Sequence, residues 1–173
     1  ALAVIGVEAP AGEDVFAREA LVFLGLFSIG LAAVFVVGQK DFKRMLAYSS
    51  VEHMGILALG IGLGGSAAAG AFFHCMNNGL TKGVVFFSAG NIHRAFGSKT
   101  TDEVRGAARL LPVSGPLFLA GFLAVTGSPP FSPFFSEFAI LNGAFGAGRF
   151  GVGALLLAFL AVIFVGMGTT VLA

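Results

Sequence analysis

The sequence predicts an all-helical bundle embedded in a membrane, and three observations carry that expectation. Apolar residues make up 57% of the chain and charged ones 11%, with a mean hydropathy of +0.94. A soluble domain of 173 residues has too little interior to hide so much apolar surface. The apolar residues also fall into runs long enough to cross about 30 Å of hydrocarbon. Finally, several of those runs carry ionisable side chains near their centres. A net charge of +1, dispersed along the chain, argues against a nucleic-acid partner. Cys75 is the single cysteine, so no disulfide framework and no Cys/His metal spacing is present. Nor does any catalytic triad or phosphate-cradling loop occur. The chain is therefore expected to hold no catalytic residue, cofactor or metal of its own.

The elements follow in order. Ala1–Val7 reads as the tail of a preceding helix, so a piece of a longer polytopic protein is expected. Glu8–Arg18 reads as a short polar loop, with Glu19 interfacial at the mouth of an apolar span over 21–38. The basic segment 39–44, with Lys40, Lys43 and Arg44, leads into a span over 45–63. That span carries Tyr48, Ser49, Ser50, Glu52 and His53. Tyr48 and Glu52 are four residues apart, as are Ser49 and His53, which makes a polar strip on one helix side. Lipid would leave such groups unpaired, so the strip should face other helices or a wet cavity. A protonated Glu52 bonded to Tyr48 is the purely structural alternative.

A neutral connection over 64–70 precedes a span over 69–92. In it His74, Asn78 and Lys82 stack along one helix face, covering roughly 12 Å of axis. An ammonium at mid-bilayer costs at least about 2.5–3.5 kcal/mol. Lys82 must therefore meet water or a partner, change protonation, or snorkel to the headgroups, the blandest reading. The polar segment 93–115 and the loop 39–44 are separated by two spans and so share one side, cytoplasmic by their positive charge. Residues 116–146 read as one crossing broken near 127–133, because Pro129, Pro130 and Pro133 remove donors and clash with the preceding turn. Glu137 follows the break by one turn. Broken helices at membrane depth line ion and substrate sites, while a carboxylate there also suits the positive end of the second half-helix. The last span is 150–173, with Arg149 at its mouth. Five crossings result, the fourth discontinuous, in one transmembrane domain.

Three segments carry a resemblance: DFKRMLAYSSVEHMG at 41–55, FHCMNNGLTKGVVFFSAG at 73–90, and the Pro-broken FFSEFAIL at 134–141. Together they resemble the antiporter-like, proton-translocating membrane subunits of complex I, Mrp antiporters and energy-converting hydrogenases. The branch found in hydrogenase-4, as its component F, and in formate hydrogenlyase complexes is the most similar. The resemblance implies a fold of two inverted five-helix repeats, of which this chain is the second, and it places the first elsewhere in a longer protein. It further implies a proton relay with Lys82 as central carrier, fed by His74 through water. His53 and Glu52 form a neighbouring relay, and Glu137 is the exit or gate. Lys43 is either a further relay group or a cytoplasmic anchor, and the residues alone favour the anchor. Family members often have a second histidine where Asn78 stands, and an amide cannot take up a proton at physiological pH. Implied partners are the lipid bilayer, other membrane subunits, and redox subunits of hydrogenase or NADH dehydrogenase type bearing iron–sulfur centres. The implied location is a bacterial inner membrane. A Na⁺/H⁺ antiporter subunit and a non-conducting scaffold are the rival expectations.

Overall fold

The computed structural model describes residues 11–171. They form seven helices: α1 (Ala11–Val36), α2 (Phe42–Leu63), α3 (Gly65–Phe96), α4 (Ala107–Leu110), α5 (Ser114–Val125), α6 (Ser132–Gly146) and α7 (Phe150–Val171). Asp14–Val36, Phe42–Leu63 and Phe150–Val171 are long and apolar enough to cross a bilayer. α3 has the length, at 32 residues, but Asn77, Asn78 and Lys82 dilute its apolar character. α5 and α6 are each too short to span and follow one another across a break.

Two boundaries differ from the sequence reading. The polar stretch expected as a loop over Glu8–Arg18 is helical from Ala11 onward, since acidic residues favour the start of a helix rather than stopping it. Glu8 and the segment Ala1–Val7 lie outside the described residues. The connection expected over 64–70 shrinks to one residue, Gly64, whose φ of +75° turns the chain directly into α3.

α1 packs along α2, α7 lies beside α1, and α3 is flanked by α2, α5 and α6. The α1–α2 seam needs glycine. A Cβ on Gly25 would lie 2.7 Å from the Gly55 carbonyl oxygen, so the two backbones touch. Ile29, Leu46, Ile56, Val85, Phe122 and Ile140 fill the interior between the helices. Phe23, Phe27, Phe72, Phe87 and Phe150 stand exposed on the outside, the surface that a bilayer would solvate.

Prolines and one threonine shape the break between α5 and α6. Pro133 sits in the first turn of α6, where a missing N–H costs nothing, and Gly127 takes a φ of +64°. Thr126 Oγ1 donates to the carbonyls of Phe122 and Leu123 at 3.1 Å each, adding to the backbone N–H groups of Thr126 and Ser128 that those carbonyls already accept. From α3, Asn77 Nδ2 donates to the Ser132 carbonyl at 3.2 Å and ties the break to its neighbour.

The two basic loops meet at one end of the bundle. Asp41 caps α2, its Oδ1 accepting from the N–H of Lys43 at 2.9 Å and of Arg44 at 3.2 Å. Lys99 reaches the same carboxylate at 3.3 Å, and Lys40 pairs with Asp102 at 2.7 Å. Phe42 N–H donates to the Lys99 carbonyl, and Thr101 N–H to that of Lys40. Burial raises the Asp41 pKa, but the Arg44 N–H, the Lys99 ammonium and the Lys43 N–H outweigh it and hold the carboxyl below its usual range. We therefore expect Asp41→Ala to cost about 1 kcal/mol at neutral pH. The folded pKa is the lower one, so this contribution is complete above about pH 4 and fades as pH falls through the folded value. Melting curves of wild type and variant should accordingly converge on acidification. At the other end Arg149 pairs through its two terminal guanidinium nitrogens with Glu19 of α1.

Candidate functional site: a buried chain of ionisable groups

α2, α3 and α6 bring polar side chains together inside the bundle. His53, His74 and Ser136 are fully buried, and Glu52, Asn78 and Glu137 nearly so. His74 joins the three helices, with Nε2 2.9 Å from His53 Nδ1 and Nδ1 2.8 Å from Ser136 Oγ. The proton positions follow from the network. Ser136 Oγ donates to the Pro133 carbonyl at 2.8 Å, so its single proton is spent and it accepts from His74 Nδ1–H. His74 Nε2 is then the acceptor and His53 Nδ1–H the donor. That leaves His53 Nε2 as a buried lone pair in need of a donor.

The same interior holds three other unpaired atoms. Glu52 Oε2, Asn78 Oδ1 and Glu137 Oε1, like His53 Nε2, have no hydrogen-bond partner among the described residues. Leaving such a group unserved costs about 1–3 kcal/mol, so each needs water or a shared proton. One ligand-type atom each of His53, His74 and Glu137 lie within 4.8 Å of one another. Glu137 and His53 share no direct hydrogen bond, and a separation of this order suits a single bridging water. A cation ligated by His74 would displace one of that ring's two hydrogen bonds, to His53 or to Ser136.

Lys82 turns inward from α3 rather than snorkelling. Its Nζ donates to the Leu46 carbonyl at 3.1 Å, to Ser50 Oγ at 3.2 Å, and to Ser49 Oγ. The Phe86 ring lies 6.0 Å away. Between Lys82 and His74, one helical turn from each, stands Asn78. Lys82 and His74 therefore belong to two hydrogen-bonded groups separated by the unpaired Asn78 Oδ1.

Glu137 does not cap α6. It makes no hydrogen bond to the first-turn N–H groups, and its carboxylate stands where a Cβ on Gly127 would go. The carboxylate also borders a cavity of about 360 Å³ between the break and α7, walled by Phe134, Leu156 and Leu160 among others. Nor does Tyr48 hold Glu52, since the Tyr48 ring stacks on Phe35 at 5.6 Å. Lys43 is exposed in the first turn of α2 and takes no part in the buried group. The ion pairs among the described residues lie at the two ends of the bundle and include none of Lys82, Glu52 and Glu137.

Reading from the sequence passed over Ser136 and gave Ser49 and Ser50 no role beyond a polar strip. For Ser49 and Ser50 a signal was present, three or four residues before Glu52 and His53 on the same helix face, whereas Ser136 directly precedes Glu137 and shares no face with it.

Residues 2–171 match the model of the family described as NADH:quinone oxidoreductase/Mrp antiporter, TM. The chain belongs to this family. Among curated members it is 38% identical over 126 residues to the hydrogenase-4 component F homolog of Methylacidiphilum infernorum, covering 72% of this chain and 26% of that protein. It is 39% identical over 123 residues to F(420)H(2) dehydrogenase subunit M of Methanosarcina mazei, covering 70% and 25% respectively. The antiporter-like fold recurs in respiratory complex I from Thermus thermophilus with bound NADH, with a TM-score of 0.83 and 31% identity over 91% of this chain and 34% of that one. It recurs also in the Mrp complex from Dietzia sp. DQ12-45-1b, with a TM-score of 0.85 over 91% and 30%. At 22% identity that second likeness speaks for the fold alone. The chain spans about a quarter of the length of these curated family members.

Proposed function

We propose that this chain is the half-channel of a proton-translocating membrane subunit in a complex I-like or membrane-bound hydrogenase complex. One observation carries the reading: the bonded run His53–His74–Ser136 links α2, α3 and α6, with Lys82 at one side and Glu137 at the other. Hydrogen-bonded imidazoles pass a proton by exchanging donor and acceptor roles, with little atomic movement. Lys82 takes up the proton, Asn78 Oδ1 holds the water between it and His74, and Glu137 releases the proton toward the cavity at the break. Glu52 adjusts the field felt by Lys82 and Glu137. The chain makes and breaks no bonds beyond those to protons and holds no cofactor. Redox chemistry belongs to partner subunits with iron–sulfur centres, in a bacterial inner membrane, and reaches this chain through electrostatics and contacts with other membrane subunits. The kinds of protein named among its relatives, hydrogenase-4 component F and F(420)H(2) dehydrogenase subunit M, support this setting.

A scaffold would lock its buried charges in ion pairs, and none of the ion pairs lies among these buried groups. The intact complex, sealed in vesicles and driven by its redox partner, tests the reading. Proton movement should persist in Na⁺-free medium and collapse on adding a protonophore. Strict dependence on Na⁺ would point to cation exchange, and absence of any proton movement to a scaffold.

A further inference from the structure

The seat of Lys82 is made only of neutral acceptors. Leu46, Ser49 and Ser50 fall at i, i+3 and i+4 on α2 and present one carbonyl and two hydroxyl oxygens to Nζ. An ammonium has three N–H donors, and three acceptors meet them. The hydroxyl protons are already committed. Ser49 Oγ donates to the Leu46 carbonyl at 2.9 Å and Ser50 Oγ to the same carbonyl at 3.2 Å. Each serine thus turns lone pairs, not its proton, toward Nζ. The seat suits –NH₃⁺, whereas –NH₂ would require a serine to turn its proton away from the Leu46 carbonyl to meet the lone pair. No carboxylate touches Nζ, so the charge is held without an ion pair that release would have to break.

We propose that Ser49 and Ser50 are positioning residues that select and hold the protonated form of Lys82 at the α2–α3 contact, setting when it passes its proton on. The inference rests on the proton-translocating reading above. Ser50 is half-buried and tolerates replacement better than the fully buried Ser49, so the decisive series is made there.

In the intact complex, protons moved per redox turnover are compared for Ser50→Thr, Ser50→Cys and Ser50→Ala. Threonine keeps the oxygen acceptor and should stay within about twofold of wild type. Cysteine and alanine lose it, and translocation should fall about tenfold, the worth of one hydrogen bond to a charged group. The Ser49→Ala/Ser50→Ala double variant should lose more. Packing alone would give the reverse order, with cysteine, closest in shape, retained and threonine impaired. That reverse order, or a double variant equal to wild type, overturns the proposal. If the double variant does not assemble, the Ser50 series decides. Lys82→Ala separates the two levels. Unchanged translocation in Lys82→Ala refutes the functional reading itself, whereas its loss beside unaffected serine variants refutes only the seat.

Discussion

Lys82→Ala complexes assemble, keep uncoupled redox turnover, and lose proton translocation by about a hundredfold or more, the scale of deleting a group that carries protons in the rate-limiting exchange. Assembly survives because of what the substitution leaves behind. Ser49 and Ser50 keep their bonds to the Leu46 carbonyl, so removing the ammonium orphans no buried donor or acceptor. Lys82 also makes no ion pair whose loss would strand a charge. What goes is the group at membrane depth able to carry a positive charge between α2 and the histidine run. Proton uptake by sealed vesicles, read with a pH-sensitive dye and set against redox turnover with an uncoupler present, checks it. Equal uptake in variant and wild type would remove Lys82 from the path.

His74→Ala should damage both stability and transport. The ring is fully buried and serves two partners on two other helices, His53 Nδ1 and Ser136 Oγ. Alanine leaves His53 Nδ1–H without an acceptor and opens a cavity where α2, α3 and α6 meet. Together these cost about 2–5 kcal/mol. A lower melting temperature of the detergent-solubilised complex reads the stability loss. In complexes that do assemble, translocation should fall about a hundredfold, because the run between Asn78 and Glu137 is cut in the middle. Ser136→Ala should be milder on both counts. It removes one acceptor from the His74 ring but leaves the ring itself and its bond to His53 in place. Equal transport in His74→Ala and wild type would mean that protons bypass the imidazoles.

How far the sequence disclosed this arrangement differs from residue to residue. The bundle and its broken helix were legible because they rest on local chemistry: apolar runs of span length, and prolines that no helix carries through its interior. Lys82 announced itself by its cost in hydrocarbon. The stack of His74, Asn78 and Lys82 named one face of α3 correctly, yet suggested one continuous ladder. In the structure His74 turns to His53 and Ser136, and Lys82 to Leu46, Ser49 and Ser50. Spacing along one helix tells which groups share a face. Which groups meet across helices depends on how α2 and α6 are registered against α3, and contacts distant in sequence fix that. Ser136 is the clearest case, since its partner His74 lies 62 residues away. The start of α1 was misjudged for a different reason. Polarity marks solvent contact and does not end a helix, so the charged residues before position 21 were compatible with either state.

Everything turns on whether the Lys82 seat and the histidine run are joined by water past Asn78. A map of the intact complex, sharp enough to show ordered water, measures this directly. Waters bonded to Asn78 Oδ1, Glu52 Oε2 and His53 Nε2 are expected, in an unbroken file from Nζ of Lys82 to the carboxylate of Glu137. A dry, side-chain-filled gap between Lys82 and His74, or Lys82 facing the acyl chains, would contradict a relay through these groups.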